Sequence, residues 1–515
     1  MTIASPMSPS ARASSNAGWM PVRFIEVFVR AALTYASVMA CFGVTVLTAR
    51  ALAPSSSQLS WIGGGVVSLT ILAVLWWGRR TLTAWITCAC AASARIPERS
   101  WVALCLSAGI LLRLAWITAF PATPASDGAT YLDLAHKLLS GEAYVANGTR
   151  AYWPPGYPFL LIPWLAVIPN DRLAISVLNL VLFLCGALGV WKLARLSIGP
   201  RYARIALLIF VLWPNLIFQA GMPEQEQALV AVLPWILVLS LVRGTSPPSP
   251  SKIFLGGVLL GAAALVQPIL QLFPAVLLCY WLLCCPRIIV PLRMILLTGV
   301  AMLIVIGPWT LRNYLVFDRF VLISTNGGFG LYGANNPAAT GGYLEHWPDD
   351  LVHMPELDAD REARKRASLW IISNPSRFVA LAFEKNILFM GDDAVGPYQT
   401  MKRGKASSSE LAYAVVKGGS NLYWLAAWSL LLLGLLAGWS GHQRIAPDLL
   451  LIPFTFLYFF LIHSIVESAG KYHVLTIGIL SVLIPMVLEM SRPDRTDSGL
   501  SRSAAADHSV SAREK

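Results

Sequence analysis

The stretch 294-MILLTGVAMLIVIGPWT-310 decides what kind of protein this chain encodes. It carries no charge and approaches the roughly 20 residues that a helix needs to cross the hydrocarbon core of a bilayer. Similar runs recur along the 515 residues, of which 56% are hydrophobic and only 13% are charged. Soluble domains average about 25% charged residues. The composition therefore excludes an ordinary soluble protein.

The apolar runs predict an all-α polytopic membrane protein with about twelve transmembrane helices. Lipid admits only helices or closed barrels, and these runs are too long for barrel strands. The predicted spans are 24–49, 60–78, 101–120, 173–195, 203–221, 227–243, 253–268, 269–286, 294–310, 413–438, 448–466 and 473–490.

The basic residues predict the orientation of these spans. With the N-terminus in the cytoplasm, nearly every cytoplasmic loop is basic, as the positive-inside rule requires. The residues concerned are Arg79, Arg80, Arg95, Arg99, Lys192, Arg195, Arg201, Arg204, Arg243, Lys252, Arg287, Arg293, Arg444, Arg492 and Arg495. The net charge of +12 thus reflects membrane orientation, and no nucleic-acid partner is expected.

This orientation places two long polar stretches outside the cytoplasm: the first polar segment, 121–172, and the second polar segment, 311–412. In the first, the apolar piece 157–168 is too short to span and is expected to be re-entrant or to lie on the membrane surface. In the second, 376–391 is expected on the membrane surface. The eight cysteines lie in or beside apolar runs, which predicts no disulfide framework.

The other predicted divisions follow the same pattern. They are a polar cytoplasmic N-terminus, 1–23; two spans with a basic loop, 24–100; a transmembrane core, 101–310; C-terminal spans, 413–490; and a disordered tail, 491–515.

Asp127 is a carboxylate at the predicted boundary of the membrane, in 126-SDGATY-131. The residues from Tyr131 to Leu139 have helical periodicity, and Gly141 ends them. Alone, Asp127 is best explained as a first-turn acid that the helix dipole favours.

Glu224 and Glu226 lie in 222-MPEQE-226, where one predicted span ends and the next begins. Both acids could cap the next helix behind Pro223. Alternatively, Glu224 joins Asp127 in a polar pocket, and for this residue both interpretations stay open. For Glu226, capping is favoured.

Basic residues at the same boundary are candidates for binding a phosphate. Lys471 and His473 open the last span, and Arg312 ends the span before the second polar segment. A cation at this depth could snorkel to the interface or hold the head group of a lipid. Arg113, inside a span, could be satisfied structurally or reach the outer pocket.

The glycines of 328-GFGLYG-333 match a dinucleotide-binding pattern. We reject that interpretation because no βαβ unit surrounds them, and we predict a turn segment instead. The sequon at Asn147 is a frequent chance match, and the histidines show no metal-site spacing.

Three stretches together resemble the GT-C superfamily of membrane glycosyltransferases, in particular the dolichyl-phosphate-mannose–protein mannosyltransferases and the bacterial lipid A aminoarabinose transferases. They are SDGATYLDLAHKLLSGEAY with WPPGYP, then GPWTLRNYLVFDRFVLISTNGGFGLYGANNPAATGGY, then ESAGKYH. The resemblance covers roughly 101–490 and treats the first two spans as an addition.

The resemblance implies transfer of a sugar from a polyprenyl-phosphate carrier to a lipid, glycan or protein acceptor on the periplasmic face of the bacterial inner membrane. Asp127 matches the family's catalytic carboxylate and would act as general base, usually with inversion, and Glu224 matches its second acid. Tyr131, Tyr157, Arg312, Lys471 and His473 are the substrate-binding candidates. Gly128 stands where the family often has a second acid, which weakens the case for a metal; no metal ligand is assigned, although a divalent cation stays possible.

Two other classes remain as alternatives. A transporter or flippase for lipid-linked sugars would place charges near the bilayer midplane and often shows internal repeats. A polysaccharide polymerase or ligase would depend on basic residues in a late outer loop, without a first-loop acid at the centre of its site.

Overall fold

The computed structural model describes residues 20–52, 57–244, 246–403, 409–440 and 445–490. It is 79% helical, and these ranges contain no β-strand, so the all-α prediction is confirmed. The described cysteines are free. The predicted tail 491–515, most of the predicted N-terminal segment 1–23, and Arg444 lie outside the described residues.

Eighteen helices, numbered α1 to α18 in chain order, make up most of the described chain. They are Met20–Leu52, Ser57–Ala94, Glu98–Ala119, Ser126–Leu139, Gly156–Val167, Asp171–Val211, Pro214–Phe218, Glu226–Ser240, Pro250–Val266, Phe273–Cys284, Ile289–Phe317, Gly327–Gly333, Asp349–His353, Glu356–Ser373, Pro375–Met390, Glu410–Ser440, Leu451–Ile465 and Ile477–Met490. Single-turn pieces lie between some of them.

Seven helices in the described part of the chain are long and apolar enough to cross a membrane, by length and composition. They include α3, α6 and α11, and the last runs from Gly470 to Met490. The chain is therefore an integral membrane protein. Five more apolar helices are shorter, and α8, α9 and α17 are among them. A total of about twelve spans therefore stays a prediction.

The long helix α6 folds back on itself. The rings of Phe183 and Phe210 stack 6.3 Å apart, although a straight helix would separate these positions by about 40 Å at roughly 1.5 Å per residue. The reversal is at Gly199, with φ 80° and ψ 170°, a conformation open to glycine. Two antiparallel arms thus correspond to the predicted spans 173–195 and 203–221.

The prediction for the second arm is wrong at its C-terminal end. The arm stops at Val211, and the short helix α7 begins at Pro214. Proline restricts the residue before it to an extended conformation, and Trp213 has ψ 112°. The helix therefore cannot continue to residue 221.

Helices α9 and α11 pack with their backbones in close approach. A Cβ atom on Gly257 would lie 2.7 Å from the Ala301 Cβ, and one on Gly261 would lie 3.0 Å from the Val305 Cβ. Glycines four residues apart are a recurrent means of close helix packing in membranes. This pair forms one wall of the transmembrane helix bundle.

The second polar segment contains helices α12 to α15. The glycine-rich stretch predicted as a turn instead forms α12, and there the prediction is wrong. A Cβ on Gly328 would lie 1.9 Å from the Asp360 carbonyl oxygen, so the glycine lets α12 rest directly on α14. The Glu356 carboxylate accepts the Arg150 amide at 2.6 Å and the Ala151 amide at 2.9 Å, which ties this segment to the first.

We expect Gly257→Ala to destabilise the protein by about 1–3 kcal/mol, the usual cost of inserting a methyl group into a packed core. Thermal unfolding in detergent measures the effect. Gly299→Ala on α11 is the control, because nothing lies within 4 Å of its Cβ position. Equal midpoints for the two variants would contradict the close helix packing.

Candidate functional site

Helix α4 places Asp127 in its first turn, as the sequence predicted. Ser126, just before it, has a positive φ of 51°, which costs a non-glycine residue about 1–3 kcal/mol. A Cβ on Gly128 would lie 2.7 Å from the Pro223 carbonyl oxygen. Gly128 therefore lets α4 start against the turn that carries Glu224.

Asp127 and Lys471 form an ion pair, with 2.9 Å between Oδ2 and Nζ. The residues are 344 positions apart in the chain, and each side chain is about a third exposed, 37% and 34%. The carboxylate of the first polar segment is thus held by a cation at the start of the last apolar helix. This contact brings together the predicted catalytic residue Asp127 and the predicted phosphate-binding residue Lys471.

Three more carboxylates surround this pair. Glu224 and Glu226 interact electrostatically with Lys471 and Asp127, and Glu467 does so from the turn before Lys471. Burial, with further contributions from nearby carboxylates, raises the pKa of Glu224 and of Glu467. Both groups therefore hold a proton at higher pH than exposed glutamates do, which limits the negative charge around Lys471.

Lys471 is positioned by the buried histidine that follows it two residues later. The His473 Nδ1 lies 2.5 Å from the Phe389 carbonyl oxygen, and its Nε2 lies 3.0 Å from the Asp393 Oδ1. The ring stacks on Trp424 at 4.1 Å. These contacts fix the turn that carries Lys471. His473 is fully buried, so it does not face the surface.

Asp393 is the centre of a wider buried network. Its Oδ2 accepts the Trp213 indole N–H at 2.8 Å, and its Oδ1 accepts the Asn215 amide at 2.5 Å. Gly470 adds a close approach, since a Cβ there would lie 2.2 Å from the Asp392 carbonyl oxygen. Three other parts of the chain, at 213–215, at 389–393 and at Trp424, thereby hold the turn of Lys471 in place.

The two candidate tyrosines lie beneath the acidic cluster. Tyr131 is 3% exposed and Tyr157 is fully buried, and their rings meet edge-on at 5.8 Å. Burial, reinforced by nearby acids, holds the pKa of both hydroxyls above the ordinary range. The tyrosines form a packed base under Asp127, and neither presents its ring at the surface.

The arginines bind backbone oxygens. Arg312 Nη1 donates to the Arg150 carbonyl at 2.8 Å, and Nη2 donates to the Tyr144 carbonyl at 3.3 Å. Arg113 donates to carbonyls on α3 and α6 and lies over the Phe183 ring at 3.7 Å. Arg312 therefore secures the first polar segment, and Arg113 is satisfied structurally.

Three residues of the site were missed by the sequence reasoning: Glu467, Tyr152 and Asp393. Glu467 lies within the ESAGKYH stretch, so its spacing to Lys471 was a usable signal. Asp393 had none, because the Asp392-Asp393 pair after an apolar run does not reveal which acid is buried or what its partner is. In the part of the chain that the structure describes, no three histidine, cysteine or acidic side chains are arranged to hold a metal ion.

The chain was compared with known proteins. No family model matches it, and no curated protein does. Among solved structures it is similar to ArnT from Cupriavidus metallidurans bound to undecaprenyl phosphate, with a TM-score of 0.40 and 17% identity over 75% of this chain and 77% of that one. It is also similar to the Archaeoglobus fulgidus oligosaccharyltransferase with zinc and sulfate, with a TM-score of 0.46 and 13% identity over 75% of this chain. The chain spans 48% of that protein, about half its length.

These neighbours are of the kind that the sequence motifs indicated. ArnT is a lipid A aminoarabinose transferase, and it shares the GT-C fold with the oligosaccharyltransferase. The predicted resemblance is thus met among solved structures.

Glu224 should give the protein a measurable pH dependence of stability. Its folded-state pKa is raised from 4.5 to about 8, so its contribution is complete below about pH 4.5 and is lost as the pH rises towards 8. We expect Glu224→Gln to flatten the fall of the thermal midpoint across this window.

The matched control is Glu345→Gln, because Glu345 is exposed. Midpoints of the purified protein in detergent, measured at about pH 5 and about pH 8, test the expectation. If Glu224→Gln follows the wild-type pH profile, the raised pKa is contradicted.

Proposed function

We propose that this protein is a glycosyltransferase that moves a sugar from a polyprenyl-phosphate carrier to an acceptor on the periplasmic face of the bacterial inner membrane. The observation that supports it most is the 2.9 Å pair of Asp127 and Lys471. This transfer needs a carboxylate that accepts a proton and a cation that binds a lipid phosphate. Asp127 provides the carboxylate, and Lys471, at the start of the last apolar helix, provides the cation.

Asp127 acts as the general base. As the acceptor hydroxyl attacks the anomeric carbon, its oxygen forms the new bond and its proton passes to the Asp127 carboxylate. The bond from the anomeric carbon to the phosphate oxygen breaks at the same time, with inversion. A carboxylate that is 37% exposed is accessible to such a hydroxyl.

Lys471 binds the leaving phosphate. The lysine side chain is flexible and carries three donors, so it can turn from Asp127 to the phosphate of an arriving carrier. This movement stabilises the leaving group and frees the Asp127 carboxylate to accept a proton. The resting ion pair is then the closed form of the site, before substrate binds.

The other predicted site residues take supporting roles. Glu224 orients the acceptor or the sugar, because its raised pKa lets it donate as well as accept a hydrogen bond. Arg312 is committed to two backbone carbonyls, so we assign it to holding the first polar segment. His473 positions Lys471. The second polar segment covers the site and selects the acceptor. About twelve transmembrane spans anchor the site in the membrane.

Asp127→Asn should lower transfer by roughly 10²–10⁴-fold, the usual range for a general base. Lys471→Met should lower it by about 10²–10³-fold through loss of charge stabilisation. The assay follows radiolabel from a polyprenyl-phosphate sugar into acceptor. Asp133→Asn is the matched control on α4, because Asp133 pairs with Lys137 on the exposed side of the same helix.

The same assay separates the alternative classes. Label that crosses the membrane without reaching an acceptor indicates a flippase, and joining of preformed glycan indicates a ligase. Full transfer activity in a folded Asp127→Asn protein would refute the role of this residue.

A further inference from the structure

A cleft of about 410 Å³ lies between the first and second polar segments. Its volume falls within the roughly 300–1,000 Å³ of small-molecule sites. Four aromatic residues line it, together with Asn147 and Thr149. The aromatic residues are Tyr152, Trp153, Phe329 and Trp347.

The aromatic rings form one continuous surface, which we call the aromatic cleft. Tyr152 meets Phe329 with 5.6 Å between ring centroids, and Phe329 meets Trp347 at 5.2 Å. Tyr152 also meets Trp153 at 5.4 Å. The rings pack against one another and remain partly exposed, so little conformational freedom is left to lose when a ligand binds.

The short helix α12 explains how Phe329 reaches this surface. Gly328 rests against α14 with no room for a side chain, and this contact aims the next residue at the cleft. Trp347 packs over the other end of α12, within 3.4 Å of the Cβ position of Gly333. The glycines that resembled a dinucleotide motif thus position Phe329 and Trp347 in the aromatic cleft.

The charge of the aromatic cleft selects against anionic ligands. Among the described residues, no lysine or arginine lines it, and Glu356 is the only charged residue in the lining. That carboxylate already accepts hydrogen bonds from two backbone amides and from the Thr325 hydroxyl. Aromatic faces with an amide and a hydroxyl beside them suit a neutral molecule with apolar C–H faces and a polar hydroxyl edge.

A second cleft nearby has the opposite character. Its volume is about 370 Å³, and its lining includes Phe320, Arg361 and Arg364. Arg364 pairs with Asp360 at 3.0 Å, whereas Arg361 is exposed. A phosphorylated ligand would favour these guanidinium groups over the aromatic cleft.

Two residues that line the aromatic cleft also interact with residues of the proposed catalytic site. Tyr152 lines the cleft and interacts electrostatically with Glu467, Asp127 and Lys471. Trp153, also in the lining, contacts the Tyr131 ring at 5.5 Å beneath Asp127. A chain of linked sugar rings in the cleft could therefore extend a hydroxyl towards Asp127.

We propose that the aromatic cleft binds the saccharide part of the acceptor, as a neutral sugar ring stacked on Trp347, Phe329 and Tyr152. This inference rests on the proposed glycosyltransferase function and specifies its acceptor class as a glycan or glycolipid. The sugar rings bind by their C–H faces, while Asn147 and Thr149 bind hydroxyl groups at the edge.

Binding of neutral oligosaccharides to the full-length protein in detergent tests the inference directly. Maltotetraose, mannotetraose and chitotetraose serve as probes, with glucose 6-phosphate as the anionic comparison, and saturation-transfer NMR gives the affinities. Trp347→Ala should weaken binding by roughly tenfold or more, since stacking on one aromatic ring contributes about that factor.

Two variants control for folding and for the site. Trp347→Phe keeps an aromatic ring and should retain most of the affinity. Phe320→Ala removes an exposed aromatic side chain from the other cleft and should leave neutral binding unchanged. In the transfer assay, Trp347→Ala should raise the KM for acceptor with little change in kcat.

The inference is overturned if none of the neutral probes binds the wild type, if only glucose 6-phosphate binds, or if Trp347→Ala binds like the wild type. Failure of the proposed function is distinguishable from these results. In that case the wild type would bind a neutral saccharide but would transfer no sugar from a polyprenyl-phosphate donor.

Discussion

The ion pair of Asp127 and Lys471 is the contact on which the rest of the site depends. Lys471 lies among four carboxylates and balances their charge where water is partly excluded. An unpaired charge in such a place costs several kcal/mol, so Lys471 stabilises the Asp127 carboxylate, and the raised pKa values of Glu224 and Glu467 limit the remaining negative charge. The same arrangement makes the lysine movable, because a lipid phosphate can replace a carboxylate as its partner.

Rigid packing supports this movable lysine. The buried contact between His473 and Asp393 fixes the turn before the last helix, and the close approach at Gly470 leaves that turn no room to shift. On the other side, Gly128 lets α4 start directly against the turn of Glu224. Precise placement of catalytic groups requires such support from surrounding residues, and here it comes from segments far apart in the chain.

The sequence predicted those features that depend on local pattern. Long apolar runs identified the membrane helices, and the periodicity after Asp127 identified α4. Features that depend on distant contacts were beyond reach: Asp393 as the partner of His473, the backbone bonds of Arg312, and the formation of α12 where glycines suggested a turn. Gly328 favours a turn locally, but its packing against Asp360 decides otherwise, and no local pattern contains that contact.

A structure of the protein with a bound polyprenyl phosphate is the most direct test of the central claim. The account predicts a phosphate oxygen within hydrogen-bonding distance of the Lys471 Nζ, with the Asp127 carboxylate released and open to the acceptor side. A phosphate bound instead beside Arg361 and Arg364, with the Asp127–Lys471 pair intact, would contradict it.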